Sequence, residues 1–390
     1  MQKKISNINI PTVKDIANLK GKRVVLRLDF NVPVKNGKIM ETIRIDRALP
    51  TIEYLRKKGA RIVILSHLGA DATMSLKPIA RYVSQALHIN VGFVPDFNAP
   101  GARTVAEGLA NGGVVIFENL RSDIREVKND SAFAKYLASF GDVYVNDAFA
   151  VSHRAHASIV GITKYLPSYI GLLIADEIKN LSLALTPKRP FLFILGGAKF
   201  DTKMPLLKKF MKTADKVFVG GILANDFFKD KGLEVGTSVV DTYKGRLAPL
   251  LKSGKIILPS DVVVQDGNKK TATKEINKIL PTEKIVDAGL ETVKNLQPIL
   301  SKAKLIVWNG PLGFYEGGFD KGTIALMNAI VKSKAQSIIG GGDTAVIVEK
   351  LGISKKFTFV STGGGAALDF LANGTLPGID AIKNCTKRPQ

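Results

Sequence analysis

Phe191-Leu-Phe-Ile-Leu195, followed at once by Gly196-Gly-Ala-Lys199, decides how the chain folds. Five apolar residues in a row, with no polar alternation, suit a strand buried on both faces. Such a strand belongs in a parallel sheet covered by helices on each side. Pro187 and Pro190 end whatever precedes it, and the glycine pair breaks it off.

The same form recurs outward in both directions. Toward the C-terminus it predicts strands at Lys216–Val219, Lys255–Leu258, Leu305–Trp308, Ser337–Ile339 and Phe357–Val360. Toward the N-terminus it predicts Arg23–Phe30, Arg61–His67, Val114–Leu120 and Asp142–Phe149. Between them the apolar spacing of Thr51–Lys58 and Ala132–Ser139 is helical. Strand–helix alternation at this spacing predicts the α/β class, as two doubly wound parallel-sheet domains joined by a helical hinge. The expected boundaries are 1–165 for the first domain, 166–189 for a helical connector, and 190–372 for the second domain. Residues 373–390 are expected to return to the first domain.

Composition agrees with that division. A chain of 390 residues is long for one core, and a prior of about 150 residues per domain gives two or three. Hydrophobic content of 45% and charged content of 23% exclude a disordered, collagenous or coiled-coil chain. The apolar runs fall far short of the roughly 20 residues that span a bilayer, so no membrane partner is expected. Met1–Ile10 has lysines but no apolar core, so no secretory signal is read there. One cysteine, Cys385, cannot form an internal disulfide. A cytoplasmic monomer is the expectation. The net charge of +22 is spread over both halves, whereas a nucleic-acid protein concentrates its charge in a stripe or tail. Nucleic acid is therefore not the expected partner, and small anions steered by the field are.

In open parallel sheets, ligands bind beyond the carboxyl ends of the strands. The two halves place different groups there. The first offers Asp29, Asn31, Arg44, His67, Glu118, Asn119, Arg121, Asn146, Asp147 and the run His153-Arg154-Ala-His156. This is an inventory for a small polyanion, with guanidinium forks for phosphate or carboxylate. The second half offers glycines: Gly196-Gly197, Gly220-Gly221, Gly310 with Gly313, Gly340-Gly-Gly342 and Gly363-Gly364-Gly365. Glycine brings backbone N–H groups close to a ligand, and a helix starting there adds its positive end. Neither a Walker A motif nor a dinucleotide fingerprint is present. Lys199, Lys203 and Asp343 lie among these glycines. Asp343 suits Mg²⁺ on phosphates, and an N-cap before Thr344 is its alternative. One half for a small anion and one for a nucleotide phosphate chain point to phosphoryl transfer, with hinge closure between domains.

The ordered motifs resemble phosphoglycerate kinase along essentially the whole chain. They are Arg27-Leu-Asp29-Phe-Asn31-Val-Pro33, Ser66-His-Leu-Gly69, Glu118-Asn-Leu-Arg121, Asn146-Asp-Ala-Phe149, His153-Arg-Ala-His156 and Gly196-Gly-Ala-Lys199. Trp308-Asn-Gly-Pro-Leu-Gly313, Gly340-Gly-Gly-Asp-Thr344, Ser361-Thr-Gly-Gly-Gly-Ala366 and Leu376-Pro-Gly378 complete them. The resemblance implies reversible phosphoryl transfer between 1,3-bisphosphoglycerate and ADP, giving 3-phosphoglycerate and ATP, with Mg²⁺, in glycolysis and gluconeogenesis. It implies that Asp29, Asn31, Arg44, His67, Arg121 and Arg154 bind 3-phosphoglycerate. Arg44, Lys199, Lys203, Gly342 and Gly365 are the implied catalytic groups. Gly197, Lys199, Lys203, Gly221, Asn309, Pro311, Gly313, Glu316, Gly342, Asp343, Thr344, Gly363, Gly364 and Gly365 are the implied nucleotide contacts, with Asp343 on the metal.

Two departures stand out. The family usually carries an Arg that grips the substrate phosphate where this chain has Ala70, so weakened substrate binding is expected. Ile222 follows Gly220-Gly221 where a third glycine is usual, which bears on the adenine-side contact. The competing reading is a non-catalytic polyanion binder on the same scaffold. Retention of Arg44, Lys199, Lys203 and Asp343 opposes it.

Overall fold

The computed structural model describes residues 10–70, 73–198, 200–241 and 247–385. They divide into two compact units, one running up to Lys179 and resuming at Thr375, the other Asn180–Gly374.

The strands of the first unit are β1 (Arg23–Arg27), a short hairpin of β2 (Val34–Lys35) and β3 (Lys38–Ile39), β4 (Arg61–Leu65), β5 (Val91–Val94), β6 (Val114–Phe117), β7 (Val143–Asn146) and β8 (Ser168–Ile170). Six form one sheet in the order β5-β6-β4-β1-β7-β8. Every pairing in it is parallel, with Val24 opposite both Ile62 and Val143. Alternate residues feed two cores, because successive side chains leave a strand on opposite faces. Val24, Leu26, Ile62 and Ile64 enter one. Val25, Val63, Leu65 and Tyr144 enter the other. This is why these strands read as unbroken apolar runs.

The second unit holds β9 (Phe191–Leu195), β10 (Lys216–Val219), β11 (Ile256–Ile257), β12 (Asp261–Gln265), β13 (Thr271–Glu275), β14 (Lys284–Ala288), β15 (Leu305–Asn309), β16 (Gln336–Gly340) and β17 (Phe359–Val360). Its main sheet is parallel in the order β11-β10-β9-β15-β16-β17. A separate antiparallel sheet, β13-β12-β14, stands beside it. The α/β class and the two doubly wound sheets are as the sequence predicts.

Three features differ from the sequence reading. Residues 166–189 are not helical throughout. Ser168–Ile170 is β8, paired with β7, and a helix follows at Leu172–Leu181. A three-residue edge strand is too short to impose a period. Second, β5 was not foreseen, since Val91-Gly-Phe-Val94 is short and carries a glycine. Third, the antiparallel sheet was absent from the reading. The residues of β13, Thr271-Ala-Thr-Lys-Glu275, are almost all exposed and offer no apolar face.

In each main sheet the chain reverses its winding once, between β1 and β7 and between β9 and β15. Connections leave such a pair of strands on opposite sides, so their carboxyl ends frame a crevice. At the second crevice two glycine loops close against each other. Gly196 N–H donates to Asn309 O at 2.8 Å and Gly197 N–H to Pro311 O at 2.7 Å. A Cβ on Gly196 would stand 2.4 Å from Pro311 O and 2.6 Å from Gly310 O, both backbone atoms. Gly196→Ala is therefore expected to destabilise the protein by about 1–3 kcal/mol, as overpacking against an unyielding wall does. A thermal melt unchanged from the parent protein would refute that packing.

Candidate active site

The first crevice is lined by side chains. Arg44, near the start of the helix Ile43–Lys57, donates from Nη1 to Asp29 Oδ2 at 3.0 Å and to Asn31 O at 3.1 Å. Asn31 Oδ1 accepts Gly69 N–H at 2.9 Å, and Arg121 Nη1 donates to Gly69 O. Asp29, Asn31, Arg44 and Arg121 thus surround one loop. Arg154 lies close enough for its charge to act on both Arg121 and His67. All six residues expected to bind the small acid therefore belong to one crevice. Glu118 and Asn119 serve the loop itself. The Asn119 side chain binds Leu68 N–H, Leu68 O and Met74 O. The Glu118 carboxylate accepts Ser75 Oγ at 2.6 Å and Leu76 N–H at 2.8 Å. Ala70 is exposed on this fastened loop.

The cations crowd one another. Burial, then Arg27, Arg121, Arg154 and His156, hold His67 far below its ordinary value, so its imidazole is neutral. His156 is pushed down to about 4, by burial first and then by Arg27, Arg154 and Arg121. Burial and the neighbouring guanidiniums also lower Arg121. This cluster gains by taking an anion.

Sequence reasoning missed Arg27 as part of the site. It ends β1 and is 1% exposed, with Nη2 3.1 Å from His67 Nδ1. The available signal was a cation closing the apolar run Val24-Val-Leu26.

The second crevice is lined by backbone and apolar side chains. A cavity of about 250 Å³ is walled by Gly197, Gly221, Ile222, Asn225, Val239, Ile285, Val286, Pro311, Leu312, Gly313 and Phe314. Lys284, Glu316 and Asp343 also border it. Ile222 adds apolar wall where a glycine was expected. The antiparallel sheet supplies Lys284–Asp287, which the sequence reading did not include. Asn309 and Thr344 are buried, and Asn309 Nδ2 and Thr344 Oγ1 have no hydrogen-bond partner among the described residues. A Cβ on Gly341 would lie 3.4 Å from the first and 3.5 Å from the second, so both groups converge beside that glycine.

The glycines divide into two kinds, which corrects the expectation that all of them present free N–H groups. Those of 196–197 spend theirs on the facing loop, Gly220 N–H donates to Leu195 O, and Gly363 N–H donates to Ser361 Oγ. Gly342 and Gly365 instead begin the helices Gly342–Lys350 and Gly365–Asn373, and among the described residues nothing stands within 4 Å of where their Cβ atoms, or that of Gly364, would be. The first N–H groups of a helix have no partner within it, so these sites offer donors to an anion. Asp343 is in the first turn of its helix, whose N-cap is Gly341, which removes the N-cap alternative. Lys203, on the helix Phe200–Thr213, is buried with Nζ against Gly196 O. Lys199 lies outside the described residues.

These geometries define an α/β kinase, with a cationic crevice in one unit and a nucleotide-sized cavity beside glycine-led helices in the other. The comparisons with known proteins give the particular kind. The family model described as phosphoglycerate kinase matches residues 13–374. A phosphoglycerate kinase of Borreliella burgdorferi (strain ZS7) is 41% identical over 97% of this chain and 100% of its own length. One of Finegoldia magna is 42% identical over 96% of this chain and 99% of its own. The solved phosphoglycerate kinase from Pyrococcus horikoshii OT3 superposes with a TM-score of 0.85 at 33% identity, over 97% of this chain and 100% of that one. The one from Coxiella burnetii gives 0.84 at 35%, over 96% and 99%. The chain belongs to the phosphoglycerate kinase family.

One carboxyl group beside the second crevice makes stability depend on pH. Asp226 Oδ1 accepts Asp241 N–H at 2.8 Å, and Asp241 Oδ2 accepts Phe200 N–H at 2.8 Å, where the Lys203 helix begins. Burial, with help from the Asp241 charge, pushes Asp226 up to about 6. A carboxyl group raised on folding lends stability below its unfolded value of about 4 and loses it as pH rises through its folded value. Asp226→Asn keeps the Oδ1 acceptor and abolishes the titration. Its stability relative to the parent is expected to climb between pH 4 and pH 6 and level off just above. Guanidinium unfolding across that range checks this, and a gap that does not vary with pH would exclude the assignment.

Proposed function

We propose that the chain transfers a phosphoryl group reversibly between ATP and the carboxylate of 3-phosphoglycerate, giving ADP and 1,3-bisphosphoglycerate, in glycolysis and gluconeogenesis. The observation that carries this reading is the contrast between the two crevices. One gathers Arg44, Arg121, Arg154 and a neutral His67 around the Gly69 loop. The other combines an apolar cavity with helix starts at Gly342 and Gly365. The first suits a small phosphorylated acid, and the second a purine nucleotide.

Arg121, Arg154 and His67 take the acid, with Asn31 and Asp29 holding the loop and Arg44 in place. The cavity takes the base, Glu316 at its rim meets the ribose, and Gly342, Gly364 and Gly365 donate to phosphate oxygens. Asn309 and Thr344 supply the buried donors beside Gly341. Lys203, with Lys199, meets the transferring phosphate. No general base is needed, because the acceptor carboxylate is already ionised at neutral pH. The protein's task is in-line placement and neutralisation of charge on the migrating group.

Asp343 is the residue that would hold Mg²⁺. It is exposed at the rim of the cavity, and among the described residues no group of three His, Cys, Asp or Glu forms a metal cage. That donor set fits Mg²⁺, which takes one or two carboxylates and leaves its other positions to phosphate and water. The bound ion neutralises charge on the nucleotide phosphates.

The deciding assay supplies 3-phosphoglycerate and MgATP and detects the acyl phosphate, whose absence would refute the proposal. Arg44→Ala is expected to lower kcat by about 100-fold or more, as loss of a preorganised donor to transition-state charge does. Ala70→Arg is expected to lower KM for 3-phosphoglycerate by about tenfold, the low end for a charge-assisted phosphate contact. Steady-state kinetics read both, and an unchanged KM would show that Arg121 and Arg154 already supply the grip.

A further inference from the structure

Against His67 Nδ1 ends a buried chain of polar groups that the proposed reaction does not use. Glu126, on the short helix Ile124–Val127, is 1% exposed. Its carboxylate accepts both donors of Ser158, the N–H at 2.9 Å and the hydroxyl at 2.6 Å. The Ser158 hydroxyl spends its proton on Glu126, so its lone pair accepts Arg27 Nε–H at 2.9 Å. Arg27 Nη1 donates to Leu28 O, and Nη2 reaches His67 Nδ1 at 3.1 Å. The Tyr144 hydroxyl, donating to Ser158 O at 2.6 Å, holds the serine from behind.

The direction of every bond that Arg27 makes is forced. A guanidinium has five N–H donors and no acceptor. His67 Nδ1 must therefore present a lone pair, and the proton of the neutral ring sits on Nε2. His67 Nε2 is buried with no partner among the described residues. The ring is left as a neutral donor with one open valence. We propose that Glu126 is a positioning residue for the acid-binding crevice, holding Arg27 through Ser158 so that His67 is locked in the Nε2–H tautomer and presents that proton to the anionic substrate.

Two charges must be buried for this to work. Arg27 loses hydration entirely, and Glu126 is the foremost charge that compensates it. Burial pushes the Glu126 carboxyl up, while Arg27 and the two Ser158 bonds pull it back. The guanidinium of Arg27 and the two donors of Ser158 favour the carboxylate against burial. The other titratable groups facing His67 are Arg121 and Arg154, whose charges oppose a second proton on the ring, His156, itself held down to about 4, and Asp29, whose Oδ1 is 4.0 Å from Nδ1. His156 Nδ1 is 3.8 Å from Glu126 Oε1. Glu126 and Arg27 thus stand paired behind a ring that itself stays neutral.

Glu126→Gln preserves shape and breaks polarity. The Ser158 N–H can face only the amide oxygen, so the amide NH₂ must face the hydroxyl. The hydroxyl then accepts there as well as from Arg27 Nε–H, its own proton loses its acceptor, and the charge that balances Arg27 is gone. Long-range ¹H–¹⁵N spectra of the full chain read the outcome without any substrate. The parent is expected to show one His67 tautomer, protonated at Nε2, from pH 5 to 8. In Glu126→Gln that single tautomer is expected to give way to a mixture or to a ring that titrates. KM for 3-phosphoglycerate is expected to rise about tenfold, KM for ATP to stay within about twofold, and Glu126→Asp to recover part of the loss. Ser158→Ala removes the link while leaving both charges, and decides the matter if Glu126→Gln does not fold. A folded variant of either kind with the parent's tautomer and KM would overturn the proposal, as would Nδ1 protonation in the parent. The kinetic arm rests on the acid-substrate reading. The tautomer arm does not, so inactivity with 3-phosphoglycerate would count against that reading alone.

Discussion

The controlling constraint is what must happen where a parallel sheet reverses its winding. Two adjacent strands end side by side, their connections depart on opposite faces, and the gap between them has to be closed by something polar. In the first unit side chains close it, and in the second the backbone does. Each choice dictates the sequence around it. Side chains demand cations that can bridge a gap, hence Arg27, Arg44 and Arg121 at or beyond strand ends. Backbone closure demands that two loops touch without Cβ atoms between them, hence the glycines at 196 and 310, whose Cβ positions would fall 2.4 Å from main-chain oxygens.

The two kinds of glycine follow from that division. Gly196 and Gly197, held in close approach to the facing loop, do not offer their N–H groups outward, because those N–H groups bond the opposite carbonyls. A glycine at the start of a helix keeps its N–H free, because the helix has no carbonyl for it. Gly196 and Gly342 look alike in a sequence, each in a run after an apolar strand. What separates them is the next element. Gly342 leads directly into a helix, while Gly196 turns back toward β15.

This also explains which parts of the structure were legible in the sequence. The central strands were, because burial on both faces leaves no freedom in residue type: Phe191–Leu195 and Arg61–Leu65 can hardly be anything else. The ends of the sheets were not. The three residues of β8 and the exposed run of β13 carry no pattern that only a strand satisfies. In the candidate site, residues placed after a strand could be recognised from position alone. Arg27 could not, since a fully buried guanidinium is justified only by partners from distant stretches, Ser158 and Glu126. Asn225 and Lys284 border the cavity for the same kind of reason, being brought there by packing rather than by following a strand of the main sheet.

A crevice built from cations carries a cost in the absence of its anion. Arg27, Arg121 and Arg154 repel one another and depress His67 and His156. Carboxylates within the same crevice offset part of this, Asp29 against Arg44 and Glu126 behind Arg27. Their placement is not symmetrical. Asp29 lies among the cations that face the loop, so an arriving anion competes with it for Arg44. Glu126 sits behind the serine, out of reach, so it stabilises the buried charge without competing. An anion-binding site can use many cations only if some of their counterions are hidden in this way. Otherwise each added guanidinium would bring a carboxylate that cancels it toward the ligand. Neutral His67 completes the arrangement by donating a hydrogen bond without adding a further positive charge to the four guanidiniums.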